Sequence, residues 1–250
     1  PLTALVLNAA GLAVVLQGGE PMPVKYGATN AELLAALDLP LADLSWAGLQ
    51  QLFAGEGLAL LHQPRHFAAA QALIPIREQI GKRPPIATLE LLWSCYGGAH
   101  LQVSGFVHAP TEALMHATWA LRSQHQGLTV KGLEGGVDLP TSRVSIAAHH
   151  QGGGEPERLI LQARDHGLGA DEPPLTTLSD WASTARAALS GKGPLLKPLL
   201  WNAGFYLWRC GLQPTLDGAL AQAEQLISSS AVTAQCQGLA HRCQVLQARD

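Results

Sequence analysis

The sequence predicts an α/β fold: a mostly parallel, doubly wound sheet flanked by helices, with a C-terminal helical segment. Three observations predict it. Short apolar, β-rich runs alternate with stretches of helical spacing through the first half of the chain, the pattern of strands joined by crossover helices. From Leu178 onward only helical periodicity appears. And 47% of the 250 residues are hydrophobic against 14% charged, a composition that fills a large core.

The elements follow in order. Thr3–Ala10 reads as a helix, with Pro1 suited to its first turn. Leu12–Leu16 is a buried strand, too short and β-rich for a helix, and 17–21 is a turn. Asn30 is placed to cap a helix over Ala31–Leu37. Ser45–Phe53 is a helix ended by Gly55, and Leu58–Leu61 a second buried strand. His66–Ile80 has helical spacing that Pro75 divides. A loop at 81–85 leads to a short helix, Ala87–Trp93, then to a strand, Leu101–Val107.

Thr111–Arg122 is a helix with Glu112 in its first turn, favourable for the helix dipole. Leu128–Val130 is the next strand. Arg143–Ala148 and Arg158–Ala163 form a hairpin about the glycines at 152–154. Helices are expected over Leu178–Leu189, Leu195–Cys210, Leu216–Ser228 and Val232–Gln247. The third-last of these blocks, Leu195–Cys210, is apolar almost all round and therefore belongs in the core. No composition shift or repeat divides the chain, so residues 1–250 are expected to form a single domain.

Charge and cysteine usage exclude several classes. The net charge is −3 and Lys82-Arg83 is the one adjacent basic pair, so nothing recruits nucleic acid electrostatically. No apolar run reaches the length of a membrane span. The four cysteines include no Cys-x-x-Cys pair and read as reduced thiols of a cytoplasmic protein. His62 and His66 are four apart, but Pro64 and Arg65 interrupt a regular helix and argue against zinc. His149 and His150, at a hairpin edge, cannot present both rings to one face. There is no nucleophile elbow, P-loop or dinucleotide fingerprint.

The most informative stretch is 127–140, Gly-Leu-Thr-Val-Lys-Gly-Leu-Glu-Gly-Gly-Val-Asp-Leu-Pro. A strand enters a glycine-rich loop that carries Glu134 and Asp138. Glycines let backbone approach a ligand closely, and carboxylates are the hard oxygen ligands that Mg²⁺ takes. Loops at strand ends are where open α/β sheets place ligands. A solvated turn is the plainer reading of such a loop taken by itself.

The run of segments Ala31–Asp38, Gly55–Ile80, the 131–140 loop, Leu161–Leu168 and Leu200–Cys210 resembles the α/β domain of the anthranilate phosphoribosyltransferase family, within the nucleoside-phosphorylase-like pentosyl transferases. The resemblance covers nearly the whole chain and looks closest to a divergent branch. It implies transfer of a phosphoribosyl group from phosphoribosyl pyrophosphate to an aromatic or nitrogenous acceptor, with Mg²⁺, in a cytoplasmic homodimer. It also implies that a small helical domain and a strand ending in a Gly-Thr-Gly-Gly-Asp pyrophosphate loop precede Pro1, where this domain is truncated, and that the dimer forms through that region.

Carried over residue by residue, the resemblance is partial. The family's adjacent Asp-Glu pair falls on Val137 and Asp138, and Glu134 stands where the family often has an acid. Arg77 matches the arginine facing the acceptor carboxylate, a task suited to bidentate pairing. The family's Lys-His-Gly-Asn-Arg turn becomes Leu16-Gln17-Gly18-Gly19-Glu20, keeping Gly18 alone. Its Ser-Gly-Ser-Ala-Asp becomes Tyr26-Gly27-Ala28-Thr29-Asn30, keeping Gly27, with Lys25 beside it as a phosphate contact or a solvated lysine. Arg83 is kept in 81–88, and Trp93 and Tyr96 near glycines are a platform for a planar ligand or loop packing. The candidate set is therefore Arg77, Gly18, Gly27, Lys25 and Arg83 for substrate and Glu134 and Asp138 for metal. The lost charges favour an alternative: a homologue that keeps the fold, lacks the chemistry and binds a nucleotide, nucleic acid or protein.

Overall fold

The computed structural model describes residues 1–21, 27–80, 86–132, 136–152 and 154–249; for Arg77, Glu78, Ile86 and Ala87 it describes the backbone alone. In chain order the elements are α1 Leu2–Ala9, β1 Val14–Gly18, α2 Asn30–Ala35, α3 Trp46–Glu56, β2 Leu58–His62, α4 Gln63–His66, α5 Ala68–Gln71 and α6 Ile74–Ile80. Then come α7 Ile86–Leu89, β3 Leu101–Gly105, α8 Ala109–Leu121, β4 Gln126–Val130, β5 Ser145–Gln151 and β6 Glu157–Leu161. The chain closes with α9 Leu178–Leu189, α10 Leu196–Arg209, α11 Leu216–Ser228 and α12 Ala231–Gln247. None of the described helices is long and apolar enough to cross a membrane. Contacts group the chain into two compact units: Pro1–Gln79 with Pro173–Asp250, and Ile80–Glu172.

The first unit holds a parallel pair, β1 beside β2, with Val14 opposite Leu58 and Gly18 opposite His62. Helix α1 packs against α10, α11 and α12, and Leu5, Val6, Trp201, Phe205 and Leu239 are fully buried there. The expectation that the α10 segment is a core helix is met. Buried Asn8 ties distant pieces together: its amide donates to the Glu56 carbonyl at 2.8 Å and its oxygen accepts from Gln235 on α12 at 2.9 Å. Arg186 on α9 reaches Asp38 beyond α2 at 2.8 Å.

Two helix ends differ from expectation for local reasons. The cap of α2 is Thr29, not Asn30. Thr29 and Glu32 satisfy each other's backbone N–H groups in a capping box, which Asn30 is one residue too late to enter. Helix α3 runs past Gly55 to Glu56 and stops at Gly57, the residue that adopts the left-handed conformation, with φ 70°. The segment 63–80 is divided, as Pro75 leads one to expect: α6 begins at Ile74 with Pro75 in its first turn, and a further break between α4 and α5 falls at Phe67, whose φ of −140° and ψ of 67° are not helical.

The second unit is a sheet ordered β3-β4-β5-β6, parallel at β3–β4 and antiparallel across the hairpin. Strand β5 is interior, so His149 and His150 do not lie at an edge; β6 covers that side. They do point to opposite faces. His149 meets Gln126 at 2.8 Å, whereas His150 packs near His116 and Trp119 of α8. Gly127 admits the Trp119 ring, because a Cβ there would overlap it. From β3, Gln102 donates to the Leu92 carbonyl at 2.8 Å and Ser104 to that of Leu91, anchoring the turn after α7.

On the α8 face lies a buried polar chain. Arg158 donates from both terminal nitrogens to the two Glu112 oxygens, each at 2.9 Å. The Thr129 hydroxyl donates to Glu112 at 2.9 Å, and His116 Nε2 lies 3.2 Å from that hydroxyl. The hydroxyl proton is committed to Glu112, so His116 donates from Nε2 and keeps its lone pair on Nδ1. That atom is buried and has no partner among the described residues, so a second proton would gain no hydrogen bond there.

Burial accordingly holds the His116 pKa below its ordinary 6.5, opposed by Glu112 and aided by His150 and Arg158. His66 is lowered for the same leading reason. Unfolded histidines take up protons below 6.5 that these two resist when folded, so acid favours the unfolded chain. Stability is expected to be level above 6.5 and to fall as pH drops through the interval beneath it. Thermal melts between about pH 7.5 and pH 5.5 measure this, and His116→Gln should flatten the slope.

Candidate functional site

Parallel strands deliver their carboxyl ends to the same side, and the turns beyond them form the natural ligand crevice of an α/β sheet. In the first unit that end is Gly18 and His62. A Cβ on Gly18 would meet nothing within 4 Å, so the backbone is open at the one turn residue the resemblance retained. Two residues on, Glu20 accepts from His62 Nε2 at 3.1 Å. The backbone N–H of His62 donates to His66 Nδ1 at 2.9 Å. His66 must then donate from Nε2 to the Leu44 carbonyl, 2.9 Å away, where Arg65 Nε also donates. The two histidines thus stabilise the turn from β2 into α4 instead of sharing a metal.

Reasoning from sequence missed the Glu20–His62 pair. It ended β2 at Leu61 and treated the turn at 16–20 as having lost its imidazole. The neighbouring strand supplies one. Extending β2 by a single residue, to the Gln63-Pro64 helix start, brings His62 into the strand, but its place opposite Gly18 follows only from the β1–β2 register.

Gly27 lies on the wall of a cleft of about 440 Å³, with Ala28, Glu32, Leu175, Thr176 and Leu178. Its φ of 128° is one that residues with a Cβ rarely adopt. The N–H of Thr29 donates to Glu32 at 2.7 Å, so this helix entry already holds a carboxylate. Arg77 lies on α6, with its side chain outside the described residues. Lys25, Arg83 and Glu134 also lie outside them.

In the second unit, the acidic loop leaves the carboxyl end of β4, which pairs parallel with β3. The backbone N–H of Lys131 still donates to the Ile146 carbonyl at 2.9 Å. Gly132 and Gly136 lie close together: a Cβ on Gly132 would overlap the Gly136 carbonyl oxygen. Its exit is fixed by Ser145, bonded to the Pro140 carbonyl at 3.0 Å, and by Glu172, which accepts from Thr141 N–H at 2.6 Å. Between these anchors Asp138 is exposed, while Leu139 and Pro140 are buried. Asp138 thus stands exposed between the end of β4 and the buried Leu139 and Pro140.

Mg²⁺ dehydrates reluctantly and is held through one or two carboxylates, waters and substrate phosphates. One exposed oxygen donor such as Asp138 fits that mode. No group of three or more His, Cys, Asp or Glu among the described residues is placed to hold a metal by itself. Cysteine chemistry fits poorly, because burial pushes the Cys210, Cys236 and Cys243 thiols up to about 11.

Comparison with known proteins agrees with this architecture. Residues 2–232 match the model of the glycosyl transferase family α/β domain. The anthranilate phosphoribosyltransferase of Methylibium petroleiphilum is 27% identical over 231 residues, covering 90% of this chain and 65% of that protein. The Moorella thermoacetica enzyme of the same name is 29% identical over 240 residues, covering 94% and 69%. The chain thus spans about two thirds of the length of these relatives.

Among solved structures, anthranilate phosphoribosyltransferase from Thermus thermophilus superposes with a TM-score of 0.77 at 23% identity, over 97% of this chain and 72% of that one. The Saccharomyces cerevisiae enzyme in complex with PRPP and Mg gives 0.78 at 16% identity, over 98% and 69%. These likenesses establish the fold: mixed α/β, with parallel strand pairs flanked by helices and a helical C-terminal segment. With nearly its whole length matched, from Leu2 to Val232, the chain belongs to the glycosyl transferase family defined by this α/β domain.

Proposed function

We propose that the protein transfers a phosphoribosyl group from phosphoribosyl pyrophosphate to an aromatic or nitrogenous acceptor. The acceptor nitrogen forms a bond to sugar C1 as the C1–oxygen bond to pyrophosphate breaks. Pyrophosphate leaves with the bonding electron pair, and the acceptor's proton passes to water. The carrying observation is an exposed carboxylate, Asp138, on an anchored glycine loop at the carboxyl end of a parallel strand, in a chain matching this family.

Asp138 and Glu134 would hold Mg²⁺ through its waters, and the metal would supply positive charge to the departing pyrophosphate. Gly18 and Gly27 leave backbone open to the sugar phosphate. Lys25 and Arg83 add positive charge for the phosphates, and Arg77 orients the acceptor. The working form in this reading is a cytoplasmic homodimer acting on small molecules.

Calorimetric titration with phosphoribosyl pyrophosphate, with and without Mg²⁺, tests the reading. Binding is expected to need Mg²⁺ and to weaken by about tenfold or more in a Glu134→Ala/Asp138→Ala double variant. Absence of binding by the wild-type protein would overturn it. That outcome would leave the alternative of a retained fold without the chemistry.

A further inference from the structure

The bend that leads into β5 holds an anion, and the anion belongs to the chain itself. One oxygen of Glu172, Oε1, accepts from the Thr141 N–H at 2.6 Å, the Ser142 N–H at 3.2 Å, the Thr141 hydroxyl at 3.2 Å and the Ser142 hydroxyl at 3.4 Å. Successive backbone N–H groups in a turn make a concavity that binds negative charge. The floor of this one is fixed: Thr141 is 3% exposed, and the Pro140 carbonyl before it accepts from Ser145 at 3.0 Å. The mouth is open, since Ser142, Arg143 and Glu172 are all exposed. Arg143 pairs with no carboxylate among the described residues, so its charge is available beside the bend.

The donors outnumber what the occupant can accept. A carboxylate oxygen has about two lone pairs, whereas four donors converge on Oε1. The Thr141 hydroxyl accordingly serves the Ala170 carbonyl as well, 3.0 Å away. The Ser142 hydroxyl is left at the long end of the hydrogen-bond range. The other Glu172 oxygen, Oε2, takes no hydrogen bond among the described residues. A phosphoryl group, with three strong acceptor oxygens set tetrahedrally, can share these donors out. Glu172 is also weakly retained: it lies in no helix or strand, and Asp171 beside it is a second exposed carboxylate.

We propose that the Thr141–Ser142 bend is an oxyanion site for phosphoryl groups, which the chain fills with Glu172 until a ligand displaces it. Thr141 and Ser142 bind through their N–H groups and hydroxyls, and Arg143 adds positive charge. A bound phosphate then takes over the anchoring of the loop exit that Glu172 otherwise supplies. The site requires neither Mg²⁺ nor turnover, and it leaves the roles of Asp138 and Glu134 unchanged.

Inorganic phosphate and pyrophosphate are titrated by calorimetry, without Mg²⁺, into the wild type, Glu172→Ala and Glu172→Ala/Ser142→Ala, with acetate as the planar control. An internal competitor lowers apparent affinity by the fraction of time it leaves the site empty, so Glu172→Ala should bind phosphate at least about tenfold more tightly than the wild type. Acetate should bind Glu172→Ala more weakly than phosphate does, and the added Ser142→Ala should remove most of the gain. Tighter binding of inorganic phosphate than of pyrophosphate marks a site for the free anion. The reverse order marks a site for the diphosphate end of a larger ligand.

Melting curves report folding, and phosphate should raise the Tm of Glu172→Ala more than that of the wild type. If Glu172→Ala does not fold, isotope-labelled wild type supplies the answer: saturating phosphate should shift the Thr141, Ser142 and Glu172 amide resonances together. Equal phosphate affinity of wild type and Glu172→Ala, a gain that survives Ser142→Ala, acetate binding as tight as phosphate binding, or unmoved amides overturns the proposal.

Discussion

Arg158→Ala is expected to lower the stability of the protein by about 3 kcal/mol, far beyond what its half-exposed position suggests. The Arg158 side chain is 48% exposed, but Glu112, which it grips, is 6% exposed. A surface ion pair contributes about 0–1 kcal/mol. The loss here is larger because truncation leaves a buried carboxylate with the Thr129 hydroxyl as its remaining hydrogen-bond donor among the described residues. Removing one partner of a buried pair costs about 3–5 kcal/mol. Water entering where Arg158 stood favours the lower end. Urea unfolding at neutral pH gives the value. Replacing both partners, Glu112→Gln with Arg158→Met, should recover most of it, because no charge is then stranded. A loss below about 1 kcal/mol for Arg158→Ala would show that Glu112 is solvated in practice.

Gly204→Ala is the second large effect, and its sign runs against helix propensity. In an exposed helix interior the change would stabilise by about 1 kcal/mol. At Gly204, on α10, a Cβ would overlap a terminal methyl of Leu220 and lie 2.9 Å from its Cγ and 3.0 Å from its Cα. Rotating the Leu220 side chain relieves the first two contacts but not the third, which is backbone of α11. The helices must separate, beside the fully buried Trp201 and Phe205. Overpacking of this kind costs about 1–3 kcal/mol, sometimes more. A net loss of about 2 kcal/mol is expected, a fall of roughly 4–8 °C in Tm for a chain of this size. Adding Leu220→Ala should restore only part. A variant that melts at or above the wild-type temperature would mean that α10 and α11 can move apart freely.

The legible parts of the fold are those whose evidence is local. Helices α9 and α11 occupy the expected ranges, Leu178–Leu189 and Leu216–Ser228, because each begins at a threonine cap and carries helical periodicity. Strand β1 was displaced by two residues, from Leu12–Leu16 to Val14–Gly18. Apolarity marked its centre, whereas pairing with β2 sets its end and draws in Gln17 and Gly18. The Thr29 cap was also readable, since Thr-Asn-Ala-Glu spells the capping box, but Asn30 had equal propensity and competed.

The candidate site divides in the same way. Asp138 could be found because a strand, glycines and an acid follow each other within a few residues. Glu20 and His62 could not, since 42 residues of chain separate them and only the β1–β2 register brings them together. Glu112 and Arg158 are farther apart in kind: their pairing depends on a helix lying across an antiparallel hairpin.

The hydrogen bond from Gln235 to Asn8 joins residues 227 positions apart, and this has a bearing on how the chain matures during synthesis. Residues Ile80–Glu172 are contiguous and can collapse as soon as they leave the ribosome. The unit to which Asn8 belongs is interrupted by that whole stretch and needs α9 to α12 to complete it. At about 5–20 residues per second, its first half waits for many seconds with β1, β2 and the apolar face of α1 uncovered. That interval, rather than the finished protein, is when a chaperone has most to shield. Substitutions that weaken the last helix should therefore be felt first as lost yield in the cell.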